Sequence, residues 1–477
     1  MQKTLLLIFF GFVFLFLLFN SCQHVRVLDE SAFETQGLDM LEAGELNQVH
    51  AWADSIKRVQ TEFDRKWMFA DSIAEIATRM AIDFSVTEFA VKQGLKRCVG
   101  DFSNQAFKAW HDTNVLEWRM INGEKMYFKR AAFNLMLSLG KEEGLISSDL
   151  SRLCLDHTSK VLELGTDAMK SISCPREFQV KFSISVKPDA VPDGEVIRCW
   201  LPYPKGNHLR QQHVEFISAS QDRYVISGDT CVHRTIYMEK AAEQGVQTLF
   251  EVKYKFKSFA QYDKIEPLQV LPYDTTQQIY STFTAEELPH LVFSDTIKAL
   301  TNAIVGEEKN PFLIVKRLYY WIHTNIPWSG ALEYSLMPNI TKYVVNNRRG
   351  DCGMQTMLFM TMARYKGIPV KWQSGWMMHP GHVNLHDWCE VYYEGVGWVP
   401  LDMSFGLQKS PCVQQREFYM TGIDQHRFII NDGIAGEFYP QKRFLRSEPY
   451  DFQRGEVEWR GGNLYFNQWD YELKISN

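Results

Sequence analysis

The chain runs to 477 residues, more than one ordinary hydrophobic core fills, so roughly two to four domains are expected. Hydrophobic residues at 45% and charged residues at 23% exclude a disordered or fibrous chain. A net charge of -6 with no long run of one sign argues against a general affinity for nucleic acid.

Residues 1-22 read as a targeting segment. Lys3 gives a positive start, Leu5 to Phe19 is almost wholly apolar and uncharged, and Asn20-Ser21-Cys22 closes the stretch. The apolar run is short for a spanning helix, and no later segment is long and apolar enough to cross a bilayer. The segment resembles a bacterial lipoprotein signal, although Leu18 stands four residues before the cysteine where such signals prefer three. The resemblance implies lipidation of Cys22, membrane attachment through an N-terminal lipid anchor, and a place in the cell envelope, periplasmic or surface-exposed. Eight of the nine cysteines remain after Cys22, widely spaced and without a CxxC pair, so no zinc or other metal site is indicated.

Residues 23-172 read as a helical domain behind a short tether that ends near residue 45. Phe63, Trp67, Ala70, Ile73, Ile76 and Ala77 recur at helical steps, as do Ala131, Ala132, Leu135, Met136 and Leu139, with Gly140 as a stop. The pattern changes at Cys174-Pro175. Residues 178-186 alternate apolar and polar, and further strands are expected at 196-201, 224-227, 233-238 and 248-256, so residues 173-270 are expected to form a β-sandwich domain. Helical spacing returns within 271-410, first at Ile297, Leu300 and Ile304, then at Phe312, Val315, Leu318, Tyr319 and Ile322 after an Asn310-Pro311 start. Residues 411-477 are aromatic and strand-like at 418-419, 428-430 and 464-466, and are expected to form a C-terminal β extension covering the domain before them. The fold class is multidomain α+β.

The chemistry concentrates between 348 and 405. Cys352 follows Gly350-Asp351 and precedes an apolar helical pattern (Met354, Met357, Leu358, Met362) that stops at Gly367-Ile368-Pro369. Asp351 is a good N-cap, which places Cys352 in the first turn. There the helix dipole and unpaired N–H groups favour thiolate and offer an oxyanion site. His386 and Asp402 bracket two expected strands. With a three-residue loop at 393-395 and Gly395 left-handed, paired residues sum to 788 and His386 faces Asp402 directly. A nucleophile, a base and a residue that orients the base are what activated-thiol acyl transfer requires. His379 and His382 compete for the base role but sit in a Pro-Gly loop ahead of the strand, and are expected near the cleft mouth.

Gly350-Asp351-Cys352, Gly367-Ile368-Pro369, His386-Asp387-Trp388-Cys389-Glu390-Val391 and Gly397-Trp398-Val399-Pro400-Leu401-Asp402 together resemble the transglutaminase-like superfamily. The resemblance implies a papain-like core with Cys352, His386 and Asp402 as the catalytic triad. Upstream, Leu318 to Ile322 and Asn325-Ile326-Pro327-Trp328 look like the helix and turn before the cysteine in bacterial members, and Trp328 becomes a candidate oxyanion residue. Asp387 departs from the pattern, since the residue after the family histidine is usually small. The expected activity is a thiol-dependent hydrolase or acyltransferase acting on peptide or isopeptide amide bonds, most of all a protease or amidase. A peptide or protein is the expected substrate, with no cofactor and no calcium requirement. The alternative is a non-catalytic envelope lipoprotein that binds protein or glycan and uses the fold as a scaffold.

Overall fold

The structure, a computed structural model, describes residues 32–140, 148–165 and 172–476; the leader and Cys22 lie outside them. The chain divides into two compact units. Within the described residues the first takes 32–140, 285–300 and 328–350, and the second takes 148–165, 172–284, 301–327 and 351–476. Among the described helices, none is long and apolar enough to cross a membrane.

The first unit is helical, as its periodicity requires. Trp67, Ala70, Ile73, Ile76, Ala77 and Met80 form the buried face of the helix Arg65–Asp83, and the Asp64 carboxylate caps it by accepting from the Trp67 N–H. Two features differ from expectation. Residues Ala32–Glu42 form a helix rather than a tether, because Phe33 stacks on Trp52 and meets Phe69 edge-on. A small antiparallel sheet also interrupts the helices, with strands β1 (Val86–Thr87), β2 (Trp118–Ile121) and β3 (Glu124–Tyr127) in the order β1-β3-β2. Its hairpin turns on Asn122-Gly123, both at positive φ, a pair suited to a tight two-residue turn.

The second unit holds three sheets. Two of them use β4 (Ile172–Val186), β5 (Val196–Pro202), β6 (Gln211–Ala219), β7 (Tyr224–Ile226), β8 (Thr235–Ala241) and β9 (Thr248–Tyr262). The third contains β10 (Val370–His379), β11 (His382–Tyr393) and β12 (Gly397–Leu401). Late in the chain come β13 (Gly422–Ile423), β14 (Arg427–Asn431), β15 (Glu456–Trp459), β16 (Gly462–Leu464) and β17 (Trp469–Ser476). The orders are β13-β9-β4-β17 with β6 on β9, β16-β15-β5-β8-β7, and β12-β11-β10-β14.

Phe178, Val180, Phe182 and Ile184 of β4 pair with Phe256, Tyr254, Val252 and Phe250 of β9, all buried on one face. The residues after 410 do not form a separate cover. β17 completes one sheet beside β4, β15 joins β5, and β14 joins β10. Phe418-Tyr419, expected in a strand, begins the short helix Phe418–Thr421. The reason is shared burial: Phe428 of β14 stacks on Phe256, and Trp376 of β10 meets Phe182 edge-on, so sandwich and third sheet have one continuous apolar core.

The β10–β14 contact leaves no room at Gly375. A Cβ there would lie 1.8 Å from the Phe428 carbonyl oxygen. We expect Gly375→Ala to separate these strands and cost about 3 kcal/mol or more, read as a lower urea midpoint.

Candidate active site

Cys352 opens the helix Cys352–Tyr365, whose residues 353–364 are buried. Asp351 is its N-cap, the carboxylate accepting from the Met354 N–H at 3.0 Å. Gln355 anchors the first turn by donating to the Ile326 carbonyl at 2.7 Å. The expected position in the first turn is therefore found, but the surroundings oppose the expected thiolate. The Cys352 Sγ donates to Asp387 Oδ2 at 3.1 Å, and burial, then the Asp387 and Asp351 carboxylates, push the thiol well above its ordinary range. Here desolvation and two nearby negative charges outweigh the helix dipole.

His386 lies on β11 and Asp402 one residue beyond β12. The pairs Cys389↔Leu401 and Tyr393↔Gly397 sum to 790, so the register is two residues from the one expected, with the loop at 394–396 and Gly395 at positive φ. A shift of two keeps every side chain on its face. His386 and Asp402 thus become diagonal neighbours, and His386 Nε2 lies 2.7 Å from Asp402 Oδ2. That contact leaves Nδ1 as the ring nitrogen for proton exchange.

Asp402 is fully buried and heavily partnered. Its Oδ1 accepts from the Ser404 and Phe405 N–H groups, each at 3.1 Å, and its Oδ2 also accepts from Arg427 at 3.1 Å. Burial pushes this carboxyl up, but His386 and Arg427 together hold it below the ordinary carboxylate range. Arg427 also pairs with Asp424, which in turn accepts from the Tyr419 hydroxyl and lies 3.1 Å from His379 Nε2. Arg427 and Asp424 were not found from sequence. They reach the site through β14 pairing, which no local signal announces.

His379 is wholly buried rather than near a cleft mouth, because the Met378-His379 end of β10 is covered by Asp424 and by the His157 and His426 rings. His382 is half-buried and pairs with His379 across the β10–β11 turn. Ring nitrogens of His157, His379 and His426 come within 4.8 Å of one another. The rings are stacked, however, with interplanar angles of 18° to 25°. An imidazole lone pair lies in its ring plane, so near-parallel stacked rings do not converge on one ion. Burial brings His157 down to about 4 and also lowers His379, as expected of packed neutral imidazoles.

Trp328 belongs to the first unit, where its half-exposed indole meets Phe133 edge-on. All eight cysteines in the described residues are free thiols.

Residues 298–403 match the family model of the transglutaminase-like superfamily, and the chain carries a transglutaminase-like domain over that span. No curated protein matches the chain. Among solved structures, a candidate cysteine protease from Cytophaga hutchinsonii is similar at 13% identity and a TM-score of 0.42, over 64% of this chain and 92% of that one. The periplasmic domain of TgpA from Pseudomonas aeruginosa is similar at 14% identity and a TM-score of 0.25, over 55% of this chain and 94% of that one. A candidate protease from Parabacteroides distasonis is similar at 10% identity and a TM-score of 0.22, over 53% and 48%. Similarity at this level carries no weight for activity.

Proposed function

We propose that the protein is a thiol-dependent hydrolase of peptide or isopeptide amide bonds, with Cys352 as nucleophile, His386 as general base and acid, and Asp402 as the residue that orients the imidazole. The observation that carries this reading is the buried 2.7 Å contact between His386 Nε2 and Asp402 Oδ2, in the domain that places Cys352 at a helix start.

The Cys352 proton passes to His386 Nδ1 as sulfur attacks the carbonyl carbon. First-turn backbone N–H groups of the helix donate to the developing oxyanion. His386 then protonates the leaving amine, and water, activated by the same nitrogen, hydrolyses the thioester. An amine in place of water would give transamidation. Hydrolysis is preferred because water is abundant and nothing in the sequence marks an amine pocket. The reading includes a lipid-anchored protein of the cell envelope, resting on the leader that ends at Cys22.

A second reading, a non-catalytic binding scaffold, draws on the Cys352 thiol being held neutral against Asp387. A mixed peptide pool separates the two. Hydrolysis by the parent chain and none by Cys352→Ala supports the enzyme; equal fragment yields from both proteins would leave only the scaffold.

A further inference from the structure

One buried group beside the nucleophile has no place in the triad. Asp387 is buried immediately after the base, where the family pattern is small. Its Oδ2 accepts from Cys352 Sγ, and its Oδ1 accepts from Gln453 Nε2 at 2.7 Å. The same Gln453 nitrogen donates to the His386 carbonyl at 3.0 Å, which fixes Asp387 relative to the strand that bears the base.

Asp451 completes the arrangement. Its carboxyl interacts with Asp387 and Ser374, and Ser374 is the cross-strand partner of Asp387 on β10. Asp451 is held at φ +60, a left-handed backbone that a non-glycine residue adopts at a conformational cost, and its Oδ1 is buried without a hydrogen-bond partner. Two carboxyls in contact and out of water cannot both ionise cheaply, so they share a proton. Burial first raises both groups, Asp451 well above its ordinary range. The charged and titratable groups facing the pair are Cys352 from the helix start, His386 from β11, and Glu448 from the loop after β14, while Asp351 acts on Cys352 itself.

From this geometry we infer that Asp387 is a positioning residue that sets the protonation state of the nucleophile. Ionised, Asp387 accepts the Cys352 S–H and holds sulfur as a resting thiol. Protonated, with Asp451 as the second carboxyl of the pair, it donates to sulfur instead, and the thiol proton is released to His386 Nδ1. The proton that Asp387 gains comes from solvent, so the change is balanced by one proton taken up. This inference rests on the triad reading above.

The test is the rate of Cys352 carbamidomethylation by iodoacetamide against pH, mapped by peptide mass spectrometry in the full chain. Asp387→Asn imitates the protonated carboxyl, because its amide donates where the carboxylate accepted. Its labelling midpoint should fall by at least one pH unit, raising the rate at pH 7 about tenfold. Asp387→Ser, smaller and uncharged, should shift the same way, and Asp387→Glu should restore slow labelling. Adding His386→Ala to Asp387→Asn should move the midpoint back up. If that second change has no effect, the triad reading fails while the role of Asp387 stands. If both Asp387→Asn and Asp387→Ser keep the parent midpoint, the inference is overturned.

Discussion

His386→Ala should lower kcat/KM for any peptide the parent cleaves by about 10^4-fold, chiefly through kcat. The imidazole supplies both proton transfers, and nothing else at the site can replace them. Asp387 touches sulfur, but as a carboxylate in a buried site it opposes the thiolate rather than stabilising it. Folding should survive, because Asp402 keeps its ion pair with Arg427 and two backbone N–H donors. Unchanged circular dichroism with activity at background is the expected pair of results. Activity within tenfold of the parent would remove His386 from the mechanism.

The second large effect is on stability. Arg427→Met should cost about 3–5 kcal/mol, since it leaves the Asp402 and Asp424 carboxylates buried without their shared cation. Methionine can fill much of the volume over Phe405, where the guanidinium lies 4.5 Å from the ring centroid, so most of the loss is electrostatic. The pH dependence follows from the direction of the shifts. Both carboxyls are held below their ordinary range despite burial, Asp424 well below it, so their pairing stabilises the fold above the ordinary carboxylate value near 4. That contribution is lost as pH falls through the lowered folded values. Urea melts of parent and variant should therefore differ most between about pH 5 and 7 and converge below about pH 4. A constant gap across this range would show that the cost is packing rather than charge.

The site was legible in sequence to the extent that its chemistry is local. Asp351-Cys352 at a helix start, and two strands bracketed by His386 and Asp402, are patterns that caps, glycines and alternation specify over short stretches. Even there the loop began one residue later than expected. The pairing survived because a two-residue slip preserves the face. Illegible were the partners brought in by long-range pairing: Arg427 and Asp424 through β14, and Asp451 and Gln453 through the loop beyond it. The same limit applied to the fold. β15 and β17 complete sheets begun more than two hundred residues earlier, and segmentation by composition does not see such returns. The β2–β3 hairpin was a different kind of miss, because Asn122-Gly123 between alternating residues is a local signal that helical periodicity on either side obscured.

The thiol state shows where a correct local argument loses to its surroundings. A cysteine in the first turn of a helix feels the field of about half an elementary positive charge. Burial and a carboxylate at 3.1 Å act in the opposite direction at closer range.

The central claim is that Cys352 acts as a His386-dependent nucleophile. Its most direct test is intact-protein and peptide mass spectrometry after exposure to a peptidyl acyloxymethyl ketone at pH 7, which traps an activated thiol as a thioether. The account predicts one adduct, on Cys352, formed by the parent and absent from His386→Ala over the same time. Equal labelling of Cys352 in both proteins, or adducts confined to exposed thiols such as Cys98 and Cys412, would contradict it.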